Sequence, residues 1–236
     1  MTSAAPQTRR AEIAAGLAAV QARVASACRR AGRDVDDVTT VVVTKTFPAS
    51  DVALLSNLGV HEIGESRDSE AAAKAAELGA LNLRWHFVGR LQGNKVRSVA
   101  SYADVVHSVD RAKLVGGLSR GAVARGAVID CLVQVSLDGD PSRGGAVTDE
   151  VPAVAARIAD GEGLRLAGVM AVGPQGVDPA EAFSRLADVA ARLRADHPGA
   201  LMVSAGMSGD LEQAIGAGAT HLRVGSAVLG SRPPLE

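Results

Sequence analysis

Residues 39–64 read TTVVVTKTFPASDVALLSNLGVHEIG, and this stretch decides the expected fold. The β-branched run Thr39–Thr44 is a strand signal, closed by Phe47-Pro48. Ser50-Asp51 then opens a helical pattern over 49–58, and a second strand is expected over Val60–Gly64. Strand, helix and strand joined by short connectors make one parallel unit. Working outward, the same alternation recurs to the end of the chain. Further strands are expected at Trp85–Gly89, Asp104–Val109, Asp130–Ser136, Gly168–Val172, Leu201–Ala205 and His221–Ser226. Helical patterns lie near 65–79, 92–101, 110–126, 147–160, 178–196 and 208–217. A first helix, Arg9–Ala31, carries Ile13, Leu17, Val20 and Val24 three or four residues apart. Eight units within 236 residues predict an α/β protein, a (β/α)8 TIM barrel with an extra N-terminal helix. An open doubly wound sheet is the alternative. The barrel is assigned to 9–230, flanked by a flexible N-terminus over 1–8 and a tail over 231–236.

Composition narrows the function classes. Lys plus Arg total 25 against 26 for Asp plus Glu, a net charge of −1, which predicts no polyanion partner. Trp85, Tyr102, Phe47, Phe87 and Phe183 are the only rings, too scattered to stack bases, so no nucleic acid is expected. Met1–Arg10 lacks an apolar signal core, and no run approaches the ~18 apolar residues of a membrane span. Cys28 and Cys131 form no C-x-x-C and read as reduced, packed thiols. A cytoplasmic protein is expected. No helix shows an apolar face demanding a partner, so a monomer is expected too.

Lys45 is the most unusual residue on any strand. Alternation puts it on the same side as Val41 and Val43, at the mouth of the barrel. Poor solvation there lowers an amine's pKa and frees it to attack a carbonyl. The competing reading is a lysine that snorkels to solvent or pairs with a carboxylate. At the other end of the chain, Leu201–Asp210 and His221–Ala227 each read as a strand opening into a glycine-containing turn. Barrels often bind phosphate with the loops after strands seven and eight. Ser204, Ser208 and Ser226 can add hydroxyl donors, and Gly206 and Gly225 permit close approach. Ordinary capping by Ser208 is the plainer alternative. Arg223 shares a strand face with Gly225, so it is expected in the mouth or in a salt bridge at the rim.

The segment Arg84–Lys95 concentrates polar groups after strand three. Its Gly89-x-x-x-Gly93-x-Lys95 pattern is too short for a P-loop, and Val96 stands where Ser or Thr would be. His61, His86, His107, His197 and His221 show no ligand spacing, so no metal site is expected. His86 reads as a hydrogen-bonded core histidine. Glu62, Glu65, Asp68 and Glu70 read as a solvated helix start.

Several segments together carry a family resemblance. They are Val42–Pro48, Ile63–Arg67, Trp85–Lys95, His107–Arg111, Gly168–Ala171, Ser204–Asp210 and Val224–Ser226. With them the chain, from about residue 9 to Gly230, resembles the pyridoxal-phosphate homeostasis protein family, the YggS/PROSC-type barrels. The resemblance implies a barrel like the N-terminal domain of alanine racemase, with pyridoxal 5′-phosphate bound as a Schiff base on Lys45. It places the ring-nitrogen arginine on Arg223. The phosphate loops fall on Ser204–Ser208, Met207 included, and on Gly225–Ser226. Ser66, His86 and Met170 are further candidates for the cofactor's side. There are departures from the pattern: Ser66 stands where the family usually has Asn, Ala205 replaces a common Met, and Arg143 sits where a loop lysine is frequent.

The resemblance also implies a cofactor carrier rather than a catalyst. The related racemases take a second acid/base from a tyrosine of a C-terminal β domain. Here the sequence ends ten residues after Ser226 and contains a single tyrosine, Tyr102. The expected function is therefore intracellular pyridoxal phosphate homeostasis, with apo forms of cofactor-dependent enzymes as candidate recipients. Two alternatives remain open: a pyridoxal-phosphate racemase or decarboxylase of low activity, and a cofactor-free Schiff-base aldolase.

Overall fold

A computed structural model of the chain describes residues 4–140 and 143–231. Eight parallel strands close on themselves in sequence order, with β1 returning to pair β8. They are β1 (Thr39–Val43), β2 (Glu62–Glu65), β3 (Arg84–Phe87), β4 (Val105–Val109), β5 (Ile129–Gln134), β6 (Leu164–Met170), β7 (Met202–Ser204) and β8 (His221–Val224). Between them run α2 (Ala49–Asn57), α3 (Asp68–Glu77), α4 (Val96–Tyr102), α5 (Val115–Arg125), α6 (Val151–Ala159), α7 (Pro179–Asp196) and α8 (Leu211–Gly216). Before them comes α1 (Ala4–Ala31), and α9 (Ser226–Leu229) follows β8. No helix among the described residues is long and apolar enough to cross a membrane.

Alternation along each strand explains the two cores. Val42 pairs with Ile63 in register, and both join the large cluster that includes Val52 and Leu55 of α2. Their neighbours on the opposite face turn into the barrel. There Val105, Leu132, Ala167 and Met170 form a small separate cluster. The layer is only partly apolar: His86, His107, Ser204 and Arg223 are buried in the same interior.

α1 covers the seam near the last two helices. Gly16 lets it come close, because a Cβ there would lie 2.5 Å from the carbonyl oxygen of Val228. Arg23 clamps the other side, donating to Glu212 at 2.7 and 2.8 Å and to the Ser208 carbonyl at 2.9 Å. The added helix thus braces the loop after β7.

Several boundaries differ from the sequence reading, three of them informatively. α1 begins at Ala4, inside the segment expected to be flexible. Residues 1–3 lie outside the described residues, as does the expected tail apart from Ser231. β6 begins at Leu164 rather than Gly168. Gly168 is not the strand's start but an irregularity within it: its φ is 152°, and a Cβ would sit 1.8 Å from the Met202 carbonyl oxygen. The register shifts there against β5. α3 starts at Asp68 instead of residue 65, because Glu65 belongs to β2.

Candidate functional site

A cavity of about 430 Å³ opens at the C-terminal ends of the strands. Lys45, Ser66, Met207, Ser208, Arg223, Gly225 and Ser226 all line it. Val43, Phe47, Val88, Val172, Gly209 and Gly230 complete the wall, mostly apolar positions that no chemical motif marks. A cleft between α6 and α7 lies on the outer surface of the barrel, and its lining includes neither lysine nor serine.

The turn bearing Lys45 is held from both sides. Thr44 extends the sheet, its N–H bonding the Gly64 carbonyl at 2.9 Å. The Thr44 hydroxyl donates to Glu65 Oε1 at 2.6 Å. Thr46 has φ +70°, a left-handed conformation costly for a β-branched residue. Its N–H donates to Glu70 Oε2 at 2.9 Å, and Phe47 N–H closes the turn on Thr44 O at 3.1 Å. Lys45 is half-buried between these anchors.

Glu65 corrects the sequence reading of a solvated acidic run. It is fully buried and pairs with Lys74 at 2.6 Å, while Lys74 also donates to Thr44 O at 2.8 Å. Burial pushes the Glu65 carboxyl up, and the hydrogen bonds from Lys74 and Thr44 pull against it. Glu62 is likewise part of the fold: its carboxylate holds His86 Nε2.

Arg223 is only 6% exposed. Nη1 donates to Ser204 Oγ at 2.7 Å and Nη2 to the Ala171 carbonyl at 2.9 Å. Among the described residues it makes no ion pair. Burial lowers its pKa to about 10, so it remains charged at neutral pH. A buried guanidinium with donors to spare and no carboxylate suits a lone-pair acceptor arriving in the cavity.

The loops after β7 and β8 meet beside it. Ser226 Oγ lies 3.4 Å from Ser208 Oγ, and Met207 N–H is held by Asp210 Oδ1 at 2.6 Å. Gly206 makes the turn possible with φ +86°, where a Cβ would lie 2.6 Å from Ala214 Cβ. Among the described residues, the backbone N–H groups of Ser208, Gly209 and Ser226 have no acceptor in the chain. Two hydroxyls and three such donors form a cradle for an anion.

Three candidates lie elsewhere. Ser204 is fully buried, and its hydroxyl is taken by Arg223 and, at 2.9 Å, by His107 Nδ1. It therefore holds the arginine instead of lining the cavity. His86 is buried between Glu62 and His107, whose Nε2 is 2.8 Å from His86 Nδ1. Met170 sits in the apolar interior cluster. The sequence reading gave His107 no role, although it opens the resemblance segment His107–Arg111 and alternates with Val105 along β4. Arg143, at the position of the family's frequent loop lysine, donates to the carbonyls of Gly173 at 2.5 Å and Val172 at 3.2 Å. It ties the β5–α6 connection to the one after β6. Among the described residues no group of His, Cys, Asp and Glu has the arrangement to hold a metal ion.

A closed eight-stranded barrel with lysine, arginine and an anion cradle at its mouth defines a class, and residues 16–233 match the alanine racemase N-terminal domain family. The relatives are more particular. A Mycobacterium bovis pyridoxal phosphate homeostasis protein is 45% identical over 95% of this chain and 94% of its own. The Escherichia coli protein of that name is 35% identical over 94% and 97%. A structure of Synechococcus elongatus PipY with PLP bound matches at a TM-score of 0.80 and 31% identity, covering 92% of this chain and all of that one. The chain belongs to the pyridoxal phosphate homeostasis protein family.

Proposed function

We propose that this chain holds pyridoxal 5′-phosphate as a Schiff base on Lys45 and serves in intracellular homeostasis of that cofactor, binding it instead of turning over a substrate. One observation carries the reading: an amine, a buried guanidinium that makes no ion pair among the described residues, and N–H donors on two loops that have no acceptor among them line a single cavity. The cofactor supplies an aldehyde, an aromatic ring and a phosphate. Lys45 takes the aldehyde. Arg223 would donate to the ring nitrogen and, charged at neutral pH, would leave that nitrogen unprotonated and the ring a weak electron sink. Ser208, Ser226 and the N–H groups of Ser208, Gly209 and Ser226 receive the phosphate, with Gly225 allowing close approach and Met207 closing the side. Ser66, also in the cavity wall, would be available to the cofactor's side. Val43, Phe47 and Val88 limit water around the amine.

Two further features support a carrier. A weak electron sink is poorly suited to proton exchange at carbon. The one tyrosine, Tyr102, ends α4 and does not line the cavity. The chain acts in the cytoplasm as a monomer, and apo cofactor-dependent enzymes are its recipients. The test is to load the purified protein with pyridoxal 5′-phosphate, reduce with borohydride and map the modified peptide. Attachment at Lys45, with no turnover of amino acids, is the expected result. Attachment at another lysine, or racemase or decarboxylase turnover, would overturn the reading; a sugar phosphate trapped on Lys45 would favour an aldolase.

A further inference from the structure

Behind Arg223 a continuous column of polar side chains runs through the barrel to its opposite end. Arg223 donates to Ser204 Oγ, which lies 2.9 Å from His107 Nδ1. His107 Nε2 lies 2.8 Å from His86 Nδ1, and His86 Nε2 is held by Glu62. Glu62 opens β2 at the N-terminal mouth, where its side chain is 28% exposed. Nothing in the cavity's chemistry requires two hydrogen-bonded histidines and a carboxylate below it.

Donor counting gives the column a direction. An arginine only donates, so Ser204 Oγ accepts from Arg223 and its own hydrogen is free for His107 Nδ1. His107 then carries its single proton on Nε2 and donates to His86 Nδ1. His86 carries its proton on Nε2 and donates to the Glu62 carboxylate. Every donor has an acceptor. A proton added to His86 reverses this order. His86 Nδ1–H would donate to His107 Nε2, the His107 proton would move to Nδ1, and Ser204 Oγ would accept from both His107 and Arg223. Its own hydrogen would then lose its acceptor.

We propose that Ser204 and His107 are positioning residues that hold Arg223 toward the cofactor's ring nitrogen, and that His86 and Glu62, at the far end of the barrel, set the direction of the column. This rests on the cofactor reading above. Glu62 fixes the far end of the column: among the described residues it is the only carboxylate bonded to it, and it reaches solvent. The charged and titratable groups around His86 are Glu62 from β2, Arg84 from β3, His107 from β4 and His221 from β8. His107 stays neutral: burial dominates, and His86, Arg223, His221 and Arg84 all disfavour its charge.

Two measurements test the column. Nitrogen NMR of histidine in the protein without cofactor reads the tautomers directly. Both His86 and His107 are expected to carry the proton on Nε2 at neutral pH, and a proton on His107 Nδ1 would overturn the assignment. The second compares cofactor affinity and visible absorption for wild type, Ser204→Ala, His107→Ala, His107→Gln, His86→Ala and His86→Gln. Ser204→Ala is expected to weaken retention at least tenfold and shift the absorption band. Glutamine at 107 can still accept from Ser204 and donate to His86, so it should restore most of the loss that His107→Ala causes. Glutamine at 86 can accept from His107 and donate to Glu62, so it should keep cofactor affinity near wild type, whereas His86→Ala should weaken it. Equal affinity and absorption in wild type, Ser204→Ala and His107→Ala, with Lys45 still labelled by borohydride, would sink the column alone. Absence of label on Lys45 in the wild type would instead sink the cofactor reading, and the inference with it.

Discussion

Lys74 Nζ lies 2.6 Å from Glu65 Oε1, and the pair is buried behind the turn that presents Lys45. Lys74 also bonds the Thr44 carbonyl and Thr44 bonds Glu65, so an ion pair on α3 and β2 fixes the residue before the proposed Schiff-base lysine. Removing one partner leaves the other charge buried and unpaired. Lys74→Ala is expected to cost about 3–5 kcal/mol in urea unfolding. Glu65 is raised above its usual 4.5, so its contribution is present below that pH and lost as pH rises through the folded value. The defect in Lys74→Ala should therefore be largest at neutral pH and shrink in acid. The double variant Glu65→Gln, Lys74→Met should recover most of the loss, since two neutral groups leave no stranded charge.

The histidines in the barrel set acid stability. His221 is lowered from 6.5 to about 4, chiefly by burial with the His86 charge adding, and His107 is also lowered well below its usual value, by burial first. Both groups have depressed folded values. Their contribution is present above the unfolded value of 6.5 and is lost as pH falls through the folded one. Each such group steepens the decline by about 1.4 kcal/mol per pH unit within that window. Unfolding free energy should therefore fall between pH 6.5 and 4, and His221→Asn should flatten that slope by roughly one proton. Equal slopes in the two proteins would remove His221 from the account.

Much of this was legible in the sequence, for identifiable reasons. The eight strands are short apolar runs bounded by turn residues, and in a parallel sheet covered on both faces that pattern is nearly unambiguous. Lys45 and Arg223 stood out because charges are rare at buried strand ends, and the glycine-serine loops because they follow strands seven and eight. The interior column was illegible. Glu62, His86, His107 and Ser204 come from four strands, and no local spacing brings them together. Glu65 was misread because acidic residues at 62, 65, 68 and 70 imitate the first turn of a helix; only the closure of β2 onto β3 shows that the first two are in strand. Ser204 was assigned to phosphate by its place at the end of β7, but strand alternation turns its hydroxyl inward to Arg223.

Lys45→Ala tests covalent attachment without testing the fold. The side chain is half-buried at the mouth, while Thr44, Thr46 and Phe47 hold the turn through their backbones and through Thr44's hydroxyl. Stability should change by no more than about 1 kcal/mol. Mass spectrometry after borohydride should show no cofactor on the variant. Retention of wild-type labelling would show that another amine is used.

Gly89 tests whether the third-strand segment shapes the site through its backbone. A Cβ there would lie 2.1 Å from the Ser66 carbonyl oxygen and 2.8 Å from Ser66 Cα, so the clash is with backbone and cannot be relieved by a rotamer. Ser66 and Val88 both line the cavity, and Val88 N–H bonds Glu65 O at 2.8 Å. Gly89→Ala must therefore push the strand-two loop aside, at about 1–3 kcal/mol for an overpacked site. Because that loop carries Ser66 and follows Glu65, the displacement also reaches the support of Thr44. Cofactor retention should fall together with the melting temperature. Gly93→Ala, whose Cβ would meet nothing within 4 Å, serves as the matched control in the same segment and should leave both near wild type. Loss of retention in both variants to the same degree would mean that the segment acts through something other than the contact between Gly89 and Ser66.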